Sequence, residues 1–110
     1  MKLFRLFPFL AAIALCCSCA TTSRRGALER ANEAFNAGAF REALDHATRA
    51  VNYNDGNALA KAEAIFLQAR CHDALNEPAA AIPLYRILAQ DFGSTNFGSF
   101  AKKRLAELQR

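Results

Sequence analysis

Between Arg25 and Gln109, apolar residues recur at intervals of three and four. Four breaker stretches interrupt them: "NAGAF", "NYNDGN", "LNEP" and "DFGSTN". That interval draws one apolar stripe along an α-helix, whereas a half-buried strand alternates with a period of two. No run of alternating β-branched residues occurs, and Ala and straight-chain residues, the good helix formers, dominate. The expected body is all-α.

The breakers divide it into five segments. The first is predicted over about Arg25 to Asn36, with Leu28, Ala31, Ala34 and Phe35 on one face; Gly38 then turns the chain. The second covers about Phe40 to Tyr53, its stripe made by Phe40, Ala43, Leu44, Ala47, Ala50 and Val51. Asp55–Gly56 ends it, and Asn57 is placed to cap the third segment. That segment, about Ala58 to Leu75, presents Leu59, Ala62, Ile65, Phe66, Ala69 and Leu75. Pro78 suits the first turn of the fourth, where a missing N–H costs nothing. Ile82, Tyr85, Leu88 and Phe92 continue that helix. Pro83 costs about 3 kcal/mol inside a helix, so a bent or loosened first turn is expected there. Gly93 stops the fourth segment. Ser94 or Asn96 would cap the fifth, about Thr95 to Gln109, which buries Phe97, Phe100, Ala101, Leu105 and Leu108. Lys102, Lys103 and Arg104 read as its solvated face.

An internal repeat is visible. "AGAFREALDHATRAV" (37–51) aligns with "LNEPAAAIPLYRILA" (75–89), so that Ala43–Leu44 matches Ala81–Ile82, Ala47 matches Tyr85 and Ala50 matches Leu88. Ala31 and Ala69 sit at like places in the preceding helices, with Ala101 in the last. A repeated antiparallel pair is the mark of an α-solenoid. "GAFREAL" is close to a Gly-x-aromatic-x-x-Ala-aliphatic turn, and on it the chain resembles the tetratricopeptide repeat family, whose unit is about 34 residues. "AAAIPLYRILAQDFGST" resembles the ends of that family's second helices. The second unit has Asn76 for the turn Gly and Pro78 for the aromatic, and its first helix begins about one turn early. That longer helix and the tail "DFGSTNFGSFAKKRLAEL" are similar to the tetratricopeptide modules of bacterial envelope lipoproteins, of the BamD type and the TolA-associated coordinator type. The resemblance covers about Arg24 to Leu108, as two units and a closing, capping helix over residues 25–110.

The N-terminus has a different character. Lys2 and Arg5 precede the uncharged run "LFPFLAAIAL", the layout of a secretory signal peptide over 1–18. The run is shorter than the roughly 20 residues needed to span a bilayer. "LCCSC" resembles a bacterial lipoprotein processing site, with Leu15 upstream, small Ser18 and Cys19 as the lipidated residue. Cys16 and Cys17 then act as small hydrophobes. Cleavage after Ala20 is the alternative; a metal knuckle would need four spaced soft ligands, and Cys71 is the only other cysteine. Residues 19–24 would be a short lipidated tether holding the domain near the membrane. Ala20 rather than Asp after Cys19 resembles the outer-membrane sorting rule of enteric bacteria. Removing Lys2 and Arg5 takes the net charge from +4 to +2, too little to argue for nucleic acid.

Catalysis has no constellation to rest on. His46 and His72 are the two histidines, and "CHD" (71–73) is not a triad because adjacent helical residues point apart. There is no phosphate loop, HExxH or GxSxG, and no cofactor or metal is expected. The expected role is a protein-binding scaffold. The resemblance implies that first helices line a concave groove, which assigns Arg25, Leu28, Asn32, Phe35, Asn36, Glu63, Phe66, Arg70 and Asp73 to a partner envelope protein or peptide. Phe35 and Phe66 read equally as anchors or as core. Arg70 suits a forked bond to a partner carboxylate. The groove's other candidate occupant is a second copy of the chain, giving a homo-oligomer.

Overall fold

The computed structural model describes residues 23–110. It contains α1 (Arg24–Asn36), α2 (Phe40–Val51), α3 (Ala58–Ala74), α4 (Pro78–Asp91) and α5 (Asn96–Leu108), and no strand among the described residues. The predicted signal peptide, Cys19 and most of the predicted tether lie outside them.

The helix starts follow capping chemistry. The Ser23 hydroxyl accepts from the Gly26 N–H at 3.1 Å, and the Asn57 side chain accepts from the Ala60 N–H at 3.1 Å. Each satisfies an N–H that the helix itself leaves open. The α5 cap is Thr95 rather than Ser94 or Asn96; its hydroxyl accepts from the Gly98 N–H at 3.1 Å and donates to the Phe92 carbonyl at 2.6 Å. Threonine serves both partners because one hydroxyl both donates and accepts. Pro78 opens α4 as the sequence suggests, and the helix then runs without interruption through Pro83. Pro83 and Ala79, whose carbonyl loses its helical donor, are both exposed. Water reaches the orphaned carbonyl.

The turns repeat more closely than the sequence does. After α1 the Ala37, Gly38 and Ala39 N–H groups donate to the Glu33, Phe35 and Ala34 carbonyls. After α3 the Leu75, Asn76 and Glu77 N–H groups donate to Cys71, Asp73 and His72 in the same order. Gly38 has φ +79° and Asn76 φ +57°. Asn tolerates the left-handed region better than other side chains do, so the missing glycine leaves the turn unchanged.

Short connections fold each helix back on its predecessor. α1 packs on α2, α2 on α3, α3 on α4 and α4 on α5; α1 also meets α3, and α3 meets α5. Alanine makes the seams. Ala31, Ala43, Ala47, Ala50, Ala62, Ala64, Ala69, Ala81 and Ala101 have no exposed surface, and side chains this small let helix axes approach closely. One core joins α1, α2 and α3 through Leu28 and Leu67; a second joins α3, α4 and α5 through Ile65, Tyr85 and Leu88; a smaller third gathers Ala34, Ala43 and Cys71. The half-buried Val51 touches the first two. The repeat pairs Ala43/Ala81, Ala47/Tyr85 and Ala50/Leu88 are all fully buried.

α3 departs from the single stripe predicted for it. Lying between α2 and α4, it buries Ala64, Leu67 and Cys71 as well as Ala62, Ile65 and Ala69, while Leu59 in its first turn is 60 % exposed. A helix covered on two sides has no single apolar face. At the start of α5, Gly98 is buried against the preceding turn. A Cβ there would run into the Phe92 carbonyl and lie 2.7 Å from Gly93 Cα, so the close approach requires glycine.

Candidate functional site

The residues assigned to the groove divide between two depressions on the side formed by α1, α3 and α5. Arg25, Leu28, Asn32 and Glu63 line the first, of about 430 Å³, with Arg24, Asp55 and Asn57. Phe35, Arg70 and Asp73 line the second, of about 270 Å³, with Phe100 and Arg104. Asn36, exposed at the end of α1, and Phe66, half-buried on α3, line neither.

The first depression is built around Arg24, which the tether assignment had placed outside the domain. It is the first residue of α1 and only 5 % exposed. Its Nε donates to the Ala50 carbonyl at 3.0 Å and its Nη1 to the Asn57 carbonyl at 2.8 Å, and its Nη2 donates to the Tyr53 carbonyl. Asp55 pairs with Nη1 at 2.7 Å. A buried guanidinium survives only with its donors and charge answered. Here the answer comes from the C-terminal end of α2, where helix carbonyls favour positive charge, and from the α2–α3 loop. Arg24 therefore locks three segments together and has little left to offer a ligand. Leu28 is buried beneath it and Arg25 pairs with Glu29 at 3.5 Å. Of the four assigned residues, Asn32 is exposed and Glu63 half-buried at the rim.

The second depression is aromatic and cationic. The Arg70 guanidinium lies 4.5 Å from the Phe35 ring centroid and 5.6 Å from that of Phe66. Phe35 meets Phe40 edge-on at 5.1 Å. Phe66 meets Phe97 at 5.2 Å and Phe100 at 5.1 Å. These rings sit at the border between core and surface: Phe35 and Phe66 are half-buried, and Phe100 is 42 % exposed. Both distances are within cation–π range, so the rings attract the guanidinium. Among the described residues no carboxylate lies within ion-pair distance of Arg70.

Asp73 is differently disposed. Arg104 grips it from α5 with a two-pronged pair, 2.7 Å from each guanidinium nitrogen to its own carboxylate oxygen, and the buried Tyr85 hydroxyl donates to it at 3.0 Å. The Arg104 bond holds the Asp73 carboxyl below the usual range, partly opposed by burial and helped by Tyr85. Burial, with the Asp73 bond added, pushes the Tyr85 phenol above its own. Arg104 is thus not part of a solvated basic face; it fastens α5 to α3, and Asp73 is a structural partner rather than a free groove carboxylate.

The remaining chemical groups are tied internally. His72 Nδ1 lies 3.1 Å from Glu77, and Arg41 donates to Glu77 at 3.1 Å, so the three residues of "CHD" do point to different places. The His72 and Arg41 bonds hold Glu77 below the ordinary carboxylate range. His46 lies 3.9 Å from Glu42. Cys71 is fully buried and free, and burial pushes its thiol up to about 11 despite the neighbouring Arg70 charge. No group of three or more potential metal ligands occurs among the described residues, and no described helix is long and apolar enough to cross a membrane.

Sequence reasoning missed Arg24, Arg104 and Phe100 as members of these depressions. Phe100 was assigned to the buried edge of α5, and the two arginines gave no local signal. No protein-family model, curated protein or solved structure matches the chain.

Proposed function

We propose that the chain is a lipid-anchored adaptor of the bacterial cell envelope, its body a short tetratricopeptide-like stack of two helix pairs closed by α5. On this reading signal peptidase processing leaves Cys19 acylated and anchored at the periplasmic face of the outer membrane. The domain then binds an envelope protein or peptide segment on its α1–α3–α5 side without catalysis. Two acyl signals suffice for stable attachment, at about 0.8 kcal/mol per buried methylene. The stack is supported by the recurrence of one turn geometry between Gly38 and Asn76. It is supported also by the contacts: α1 meets α3 and α3 meets α5, while α2 and α4 stay apart. The observation that carries the binding role is Arg70, set against two phenyl rings with no carboxylate within ion-pair distance among the described residues.

A second reading, self-association of a structural lipoprotein, draws on the exposed side chains of Leu59, Ile87 and Phe100. A photo-crosslinking residue at position 74, exposed at the edge of the Arg70 depression, separates the two in intact cells. The adaptor captures a different envelope protein, whereas the self-associating form captures its own copy and changes mass on dilution in sedimentation. Changing Cys19 to Ser tests the anchor: the adaptor reading expects loss of membrane retention, and unchanged retention would remove that part of it.

A further inference from the structure

We infer that the depression between α1, α3 and α5 recognises an acidic side chain flanked by a ring or branched aliphatic side chain within a segment of the partner protein. The inference rests on the adaptor reading and adds the partner's chemistry to it. Arg70 supplies the charge. Its guanidinium rests against Phe35 and Phe66, its N–H groups are left for an acceptor, and a carboxylate matches that fork with two parallel bonds. Asp73, in the same depression, is near enough for the Arg70 charge to help hold its carboxyl below the usual range, but its hydrogen-bonding capacity is already engaged. Both Asp73 oxygens are taken by Arg104 and one also by Tyr85, and Arg104 is answered by Asp73 and by Glu107 at 2.9 Å. Phe100, packed edge-on to Phe66 and 42 % exposed, is the apolar shelf beside the cation. The volume of about 270 Å³ falls just under the range of about 300–1,000 Å³ that holds drug-sized molecules. It suits one or two side chains of a longer segment. The depression around Arg24 offers no such recognition, because its guanidinium is already consumed by three carbonyls and Asp55.

The test is selection of random peptides, displayed on phage with no free C-terminal carboxylate, against the full chain in detergent micelles. The enriched peptides should share Asp or Glu next to an aromatic or branched aliphatic residue. Arg70→Ala should weaken them about ten- to hundredfold, the worth of a hydrogen bond to a charged group. Arg70→Lys, which keeps the charge but loses the fork, should also weaken them, and Phe100→Ala should remove the preference for the flanking apolar residue. Native far-ultraviolet circular dichroism of each variant checks the fold. Because Phe100 is substantially exposed, its variant keeps the test decisive if Arg70→Ala does not fold. No enrichment, enrichment without an acidic residue, or retention of the same peptides by the Arg70 variants overturns the inference. If position 74, which leaves Arg70 in place, still captures an envelope protein in cells, that failure is of the acidic specificity alone; if it captures nothing, the adaptor reading fails with it.

Discussion

Arg24 and Cys71 show how far a residue's role depends on neighbours distant in sequence. Arg24 sits in a polar stretch without periodicity, and its partners Ala50, Tyr53, Asp55 and Asn57 follow only after a whole helix pair. Removing the guanidinium takes a donor from each of the three carbonyls and the charge partner from Asp55, at the seam of three segments. Arg24→Ala should cost about 2–3 kcal/mol, read as a lower urea midpoint at unchanged slope. Cys71 makes a contrasting prediction. Thiolate is the reactive form, and a fully buried thiol raised to about 11 supplies almost none at neutral pH. Cys71 should resist a thiol reagent in the folded protein and react fully in denaturant, so rapid reaction under native conditions would place it at the surface.

At the level of elements, helix bounds were legible because Gly, Pro, Asn and capping residues punctuate the chain at the places where backbone geometry demands them. The α4–α5 cap was misassigned by one residue because Ser94, Thr95 and Asn96 are all competent caps, and only the Phe92 carbonyl opposite selects Thr95. The stripe on α3 misled for another reason. Periodicity reports one buried face, and a helix packed between two neighbours buries two, which left Leu59 outside and drew Leu67 in. The groove residues were legible as a side of the molecule but not in their energies. Asp73 and Arg104 are 31 positions apart, and nothing local pairs them. The equivalence of the two turns can be measured directly. Gly38→Ala and Asn76→Ala each force an alanine to positive φ, so each should cost stability, about 1–2 kcal/mol at Gly38 and less at Asn76, whose side chain already carries part of that strain. A large cost at one turn and none at the other would mean that the two are not equivalent.

For the molecule as a whole, α5 matters most, since it closes the second core and forms one wall of the aromatic depression. It is held by packing and by the Arg104–Asp73 pair. Asp73 titrates below the usual carboxylate range when folded. Its contribution to stability is therefore complete above the unfolded value of about 3.9 and disappears as pH falls through the folded value. Asp73→Asn should lower stability at neutral pH and flatten the acid limb of the stability–pH curve; an unchanged acid limb would remove the pair from the account of α5.

The account's central claim is that one side of this helix stack, made by α1, α3 and α5, receives a partner. A scan with a photo-crosslinking residue in intact cells tests it most directly, using positions 32, 63 and 74 on that side, with Arg70 kept, and positions 49 and 86 on α2 and α4. The account predicts capture of one common protein from 32, 63 and 74 and none from 49 and 86. Capture confined to 49 and 86, or equal from all five positions, would contradict it.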